Sequence, residues 1–491
     1  MLERHVWQTF PTAPLATQQR WRDSTVGLFL ACALLTALGG CKPTEEFATL
    51  EPGEKLSGGS TSVAKTDSNG FSMPAANLSP LRRMDFFVGN GFFRNPWKVA
   101  STQPNARDGL GPLFNTDTCQ SCHIKDGRGH PPTGASGPAV SMLVRLSIQP
   151  GAADTQQLER GGVVPEPTYG GQLQDAALAG HRPEGSVRVE YTEIPMVFSD
   201  RSPISLRKPH LYIDSLGYGP MHPETQFSAR IAPPMIGLGL LEAISDDDIR
   251  ANAVRQAEHS RRVSGKVNLV WDDVQGKTVI GRFGWKAGQP NLNQQNAHAF
   301  AGDMGLTSRV LPRDDCTKQQ TACQQARNGG APEVSDSILA SILFYTRNLA
   351  VPMRRDVDAP QTLRGKALFQ QAGCATCHVP SYVTATAAEP ELSQQKIFPY
   401  TDLLLHDMGD ELGDGRGEYL ANGNEWRTPP LWGIGLTQQV SGHTLFLHDG
   451  RARNLMEAII WHGGEARGSR NAVLQFDQAQ REALISFLNS L

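Results

Sequence analysis

Cys374-Ala375-Thr376-Cys377-His378 decides how this chain is read, because the same pattern stands earlier as Cys119-Gln120-Ser121-Cys122-His123. Two cysteines three positions apart, followed at once by histidine, form the attachment pattern of c-type haem. The spacing has a physical basis. On a tight turn opening into a helix, both thiols face one edge of a porphyrin and can bond its two vinyl groups. The histidine then falls beneath the iron as proximal ligand. With 8 Cys and 13 His in 491 residues, chance supplies about 0.003 such pentapeptides. The expected cofactors are therefore two covalently bound haem c groups, with His123 and His378 on the irons. Two other uses of the cysteines stay open at this point. Paired knuckles can make a four-thiolate zinc site, although such knuckles usually lie within a few tens of residues and these stand about 250 apart. Each pair can also close as a structural disulfide.

The chain is long enough for two or three domains. Its formal charge of −3 is nearly balanced, and no basic run or basic-aromatic stripe points to nucleic acid. High glycine (49) and proline (33) fit irregular loops wrapped around a flat cofactor without proving one.

Val26 to Leu38 is an apolar run preceded by Arg20 and Arg22. At 13 residues it is too short to span a bilayer and reads as a signal-peptide core. It ends in Leu38-Gly39-Gly40-Cys41, which looks like a lipobox. Residues 1–41 are thus expected to be a lipoprotein-type signal peptide with lipid on Cys41. An ordinary signal peptide with a chance cysteine is the alternative. Residues 42–75, rich in Ser, Thr, Gly and Glu, read as a flexible tether. The expected location is the periplasmic side of a bacterial membrane or the cell surface, with membrane contact through the lipid anchor only. Cys32 would leave with the signal peptide. Cys316 and Cys323 remain, and an exported protein is expected to join them as a disulfide; an idle reduced pair is the alternative.

A weak repeat organises the rest. Gly89-Asn-Gly-Phe-Phe93 and Gly365-Lys-Ala-Leu-Phe369 share a Gly-x3-Phe spacing ahead of the two motifs. One helical turn places each glycine and phenylalanine on one face, and glycine admits a second helix closely. Candidate crossing helices are Ser335 to Asn348 and the stripe Ala483, Leu484, Phe487, Leu488, Leu491, the latter opened by a capping box at Asp477 and Gln480. Arg230-Ile-Ala-Pro-Pro-Met-Ile-Gly-Leu-Gly239 pairs in the same way with Arg427-Thr-Pro-Pro-Leu-Trp-Gly-Ile-Gly435. An arginine beside haem commonly holds a propionate, and a Pro-Pro turn fixes backbone against the ring. The excess length of the first half is strand-like: Val140 to Ile148, Ser186 to Phe198, and Lys266–Trp271 with Thr278–Trp285. The expected fold is mainly α, with two cytochrome c-like haem domains (76–352 and 360–491), the first carrying a β-rich insertion at about 140–290.

With these residues in view, the chain resembles the bacterial di-haem oxidoreductases, a family described as peroxidases and sometimes as thiol oxidoreductases. The resemblance runs from Leu81 to the C-terminus. It is carried by Asp108–Asn115 leading into Cys119–Pro132, and by Met221–Ile244, Phe283–Gly305, Phe398–Gly409, Glu425–Gly435 and Phe446–Ala466. The C-terminal half is also similar to di-haem cytochrome c peroxidases and the methylamine dehydrogenase maturation enzyme, notably at His448-Asp449-Gly450. The resemblance implies an exported di-haem oxidoreductase, peroxidase-like, acting on peroxide or another small oxidant. Its electrons would come from a small redox donor protein, a cytochrome or cupredoxin. A non-catalytic electron-transfer di-haem lipoprotein is the alternative.

In such enzymes one haem keeps an open position and the other is six-coordinate. A peroxide pocket needs an acid/base group and a cation or donor for the departing charge. Near the first motif the candidates are Arg128, His130, Glu224 and Gln226, with Met221, His222 and Met235 in the same segments. Near the second, Met408 or His406 is the expected distal ligand, with His443, His448 and His462 also at hand. His448 is expected to orient its loop through Asp449 rather than to bind iron. Arg451 and Arg453 are candidates for propionates or for a solvated face.

Overall fold

A computed structural model describes residues 47–101, 106–133, 139–151, 154–260 and 262–491. The expected signal peptide and Cys41 lie outside these residues. In chain order the elements used below are helices α1 (Pro80–Arg94) and α2 (Cys119–Cys122), then strands β1 (Met142–Ser147), β2 (Ser186–Val197), β3 (Pro203–Asp214) and β4 (Gln226–Ile231). Strands β5 (Leu269–Asp272) and β6 (Lys277–Ile280) precede helices α3 (Asp336–Arg347) and α4 (Pro360–Gln371). Strands β7 (Leu405–Asp407) and β8 (Glu425–Arg427) and helix α5 (Gln478–Ser490) complete the set.

Two helix crossings form the frame, and the sequence prescribes both. Helix α1 starts where Ser79 accepts a hydrogen bond from the Arg82 amide and Pro80 fills the first turn. It crosses α3 at Gly89, where a β-carbon would stand 2.2 Å from the Ser341 carbonyl oxygen. Helix α5 opens with the expected box: the Gln480 amide donates to Asp477 at 2.8 Å, and the Asp477 amide donates to the Gln480 side chain at 2.9 Å. It crosses α4 at Gly365, where a β-carbon would meet the Ala483 carbonyl at 1.9 Å. Phe93 then packs 5.1 Å from Tyr345, and Phe369 packs 5.2 Å from Phe487. One hydrophobic core gathers around each crossing. A third, containing Phe71, Ile236, Leu240, Trp432 and Leu436, joins the two halves.

The expectation of a mainly α fold is corrected. The described residues are 31% helix and 18% strand, with several small sheets. The six pairings among the described residues are two-stranded and antiparallel. The longest ribbon is β2 with β3, paired from Ser186 against Asp214 to Val197 against Pro203. Its second strand went unread because Pro203 and Pro209 argue against a strand. Here they fall in an edge position, where a missing N–H breaks no further ladder. The ribbon packs on the C-terminal half. Arg453 pairs with Glu193 at 2.9 Å, and Arg481 pairs with Asp200 at 2.9 Å. Pairing β1 with β4 also draws the residues before the first Pro-Pro turn into a ladder, Met142 against Ile231.

Part of the stretch expected to be a flexible tether is packed into the core. Phe71 is 2% exposed, and Glu54 is fully buried between Arg354 and Lys366. Polarity misled here: a carboxylate held by two cations can enter a core. Cys316 and Cys323 are joined as a disulfide. Among the described residues no helix is long and apolar enough to cross a membrane.

Candidate functional site

Just beyond helix α4, Gly373, with φ of +79°, turns the chain into Cys374-Ala375-Thr376. That left-handed residue belongs to glycine, since a β-carbon would crowd the next carbonyl. Both thiols and His378 then face one cavity with a predominantly apolar lining.

The geometry of His378 defines its chemistry. Its Nδ1 lies 2.9 Å from the Tyr400 carbonyl oxygen. A carbonyl only accepts, so Nδ1 carries the proton and Nε2 keeps a free lone pair. Burial pulls the imidazole down to about 4, so it stays neutral. Neutral imidazole with one nitrogen tied to a carbonyl is the form that ligates metal. The same burial pushes the Cys374 thiol up to about 12.

The first motif repeats this arrangement. Thr118 caps α2, and His123 donates from Nδ1 to the Pro233 carbonyl at 2.8 Å. Burial brings this imidazole to about 4 as well. Burial first, and then Asp303, pushes the Cys119 thiol up to about 12. Phe93 stands 6.2 Å from His123, and Phe369 stands 6.3 Å from His378. All four motif cysteines are free thiols, so neither pair is a disulfide. Among the described residues the grouping able to hold a bare metal ion joins Cys377 to Asp402 and His406. It contains one cysteine, which removes the four-thiolate zinc reading.

The second cavity also carries unbalanced positive charge. Arg128 is 7% exposed, and its Nε and Nη1 have no hydrogen-bond partner. Burial alone pulls it down to about 10. Arg427, likewise brought to about 10 by burial, donates to the carbonyls of Gly284 and Thr428 at 2.9 and 3.1 Å. Burying such cations without carboxylates is costly. Haem fits this site: it fills an apolar slot and brings two propionates, which Arg128 and Arg427 would hold. Arg230 does not share the role expected of it, because it is paired with Glu418 at 2.8 Å.

The remaining candidates divide sharply. Arg128 follows the first motif by five positions yet lines the second cavity. His130 donates from Nδ1 to the Pro131 carbonyl at 2.8 Å and stands edge-on to His443 at 5.5 Å, away from the cavity wall. Glu224 is exposed, and Gln226 gives its amide to the Gly415 carbonyl at 2.9 Å. Neither residue lines the cavity.

His406 does line the cavity, but both ring nitrogens are engaged. Nε2 lies 2.8 Å from Asp402 and Nδ1 lies 2.8 Å from Glu465. Although burial alone would lower it, the two carboxylates hold this imidazole well above its usual range. A doubly bonded imidazolium has no lone pair for iron, so His406 cannot serve as the distal ligand in this arrangement. Met408 lines the wall. His448 is stacked on Trp426 at 3.7 Å and 13°. His462 matches the two motif histidines: it lines the cavity, donates from Nδ1 to the Ala458 carbonyl at 2.7 Å, and leaves Nε2 free. The carbonyls of Pro233 and Tyr400 went unrecognised in the sequence, because a backbone acceptor carries no residue signature.

A family model described as "Di-haem oxidoreductase, putative peroxidase" matches residues 53–491. No curated protein and no solved structure matches the chain.

Proposed function

Because the chain belongs to the di-haem oxidoreductase family, we propose that it is an exported, peroxidase-like enzyme whose two haems are bonded to Cys119 and Cys122 and to Cys374 and Cys377. One observation carries the reading. Two neutral histidines, each directly after a free cysteine pair, present an unoccupied Nε2 while Nδ1 is tied to a backbone carbonyl. The bound haems supply the iron at which a peroxide is reduced and the path along which electrons arrive.

The chain's own residues support a division of roles. His462 offers a second free Nε2 in the cavity of Cys374 and Cys377, which supports a six-coordinate relay haem there. The haem at Cys119 and Cys122 is then the one that takes the oxidant. Arg128 and Arg427 neutralise the propionates and keep the second haem in a dry, fixed position.

A small redox donor with an acidic rim fits the outer face of α1. Leu81, Met84, Phe87 and Val88 are 70%, 65%, 59% and 54% exposed there, flanked by exposed Arg83 and Arg94. A helix apolar on both faces is normally covered, and the buried face of this one carries Phe93 against His123. Lipid on Cys41 would hold the enzyme at the periplasmic side of the membrane.

A spectrum of the oxidised protein tests the reading. One high-spin and one low-spin haem, with the high-spin signal changing on addition of hydrogen peroxide, is the expected result. His462→Ala should convert the low-spin haem. Two low-spin haems inert to peroxide in every redox state would leave an electron carrier instead, and a mature chain without added tetrapyrrole mass would remove the reading altogether.

A further inference from the structure

Tyr400 is the residue whose carbonyl holds His378, and its backbone is unusual. It has φ of +54°, a left-handed conformation that a non-glycine residue adopts only when its surroundings force it. Three contacts do so. Its ring packs 6.0 Å from Phe369 and 5.7 Å from Phe487. Its hydroxyl donates to Glu54 at 2.9 Å.

Glu54 reaches this point from the N-terminal segment and is itself fully buried. Lys366 on α4 donates to its other oxygen at 2.7 Å, and Arg354 donates to the same oxygen as Tyr400. Arg354 also bonds Ser490 at 2.8 Å. One carboxylate thus fixes α4, the C-terminal helix and the loop that carries Tyr400. Two of these meet the imidazole: α4 supplies Phe369 at 6.3 Å, and the loop supplies the carbonyl.

We infer that Glu54 and Tyr400 are positioning residues for His378, clamping the strained Tyr400 backbone so that its carbonyl stays aligned with Nδ1–H. The inference rests on His378 being an iron ligand. A well-aligned Nδ1–H···O bond makes an imidazole a stronger base toward its metal, and a more basic axial ligand favours ferric iron. The N-terminal segment therefore tunes the second haem from outside its pocket.

Tyr400→Phe in the full-length, haem-loaded protein removes one hydroxyl and leaves the ring packing in place. The expected result is an upward shift in the midpoint potential of the second haem, identified as the potential that moves in His378→Met. The first haem's potential and the count of two haems per chain should stay unchanged. Glu54→Gln should shift the same potential in the same direction, with an added loss of stability from the cations it leaves unpaired. Tyr169→Phe, which removes another buried hydroxyl, should move neither potential. If Tyr400→Phe and Glu54→Gln both leave the second haem's potential and spectrum unaltered, the clamp is only a structural tie and the inference falls. If wild-type protein carries fewer than two haems, the iron-ligand reading fails first, and haem stoichiometry separates the two outcomes.

Discussion

Trp432 lies against Gly237, so closely that a β-carbon on the glycine would stand 2.3 Å from the indole. The relation is reciprocal. One on Gly433 would stand 2.5 Å from Ile236, the residue equivalent to Trp432 in the other Pro-Pro turn. The two turns are thus docked face to face in the core that joins the halves, and each leads back toward one motif. The first holds His123 through the Pro233 carbonyl, while Pro429 and Pro430 of the second wall the cavity of His378.

Gly237→Ala should therefore be costly on two counts. Its φ of +67° adds about 1 kcal/mol for a left-handed alanine, and the clash with Trp432 adds about 1–3 kcal/mol more. Gly442 has φ of +76° with nothing within 4 Å, so Gly442→Ala should cost only the first part. Denaturant unfolding of the two variants separates packing from backbone strain.

Glycines inside the helices should split in sign. Gly365→Ala drives a methyl into the Ala483 carbonyl and should lose at least ~2 kcal/mol. Gly91, on the same α1 that carries Gly89, has open space around it. Gly91→Ala should gain about 0.5–1 kcal/mol from helix propensity. Equal effects in equilibrium unfolding would contradict the crossing geometry.

Arg128→Met should destabilise the haem-loaded protein by roughly 3 kcal/mol, because a buried propionate would lose its partner. Arg128→Lys should recover only part of this, since ammonium cannot reproduce the planar fork. The Soret band of the second haem should shift in both, and the first should not. An unchanged band in Arg128→Met would place the propionates elsewhere.

Two buried groups set opposite pH trends. Burial raises Glu184 from 4.5 to about 8, so the folded state holds a proton that the unfolded state releases. Stability from this group is present below about 4.5 and is lost as pH rises toward 8. Burial lowers Lys286 from 10.5 to about 8, so its unfolded form binds the extra proton and stability rises from pH 8 toward 10.5. Unfolding free energy measured from pH 5 to 10 should therefore pass through a shallow minimum near 8. Glu184→Gln should flatten the acidic limb and leave the alkaline one.

Much of this could be read along the chain because it is local. The two motifs, the Gly-x3-Phe spacings, the Asp477 box and the Pro-Pro pairing each depend on residues within one or two turns of each other. Periodicity and capping chemistry fix such features before any tertiary contact forms. The ribbon's second strand was hidden because proline's local preference was outweighed by an edge position that only the fold creates. The tether was hidden because its polar composition gives no sign that Arg354 and Lys366, about 300 positions later, neutralise Glu54.

By itself, then, the sequence determined the two Cys-x-x-Cys-His pentapeptides and which helices cross beside each of them, since spacing alone aligns those groups. Only the tertiary structure decided that Arg128 lines the cavity of the second motif, that Asp402 and Glu465 engage both nitrogens of His406, and that His462 faces that cavity with Nδ1 tied to a carbonyl. Those outcomes depend on which distant carbonyl, carboxylate or void each side chain meets, and that information does not exist until the chain has closed on itself.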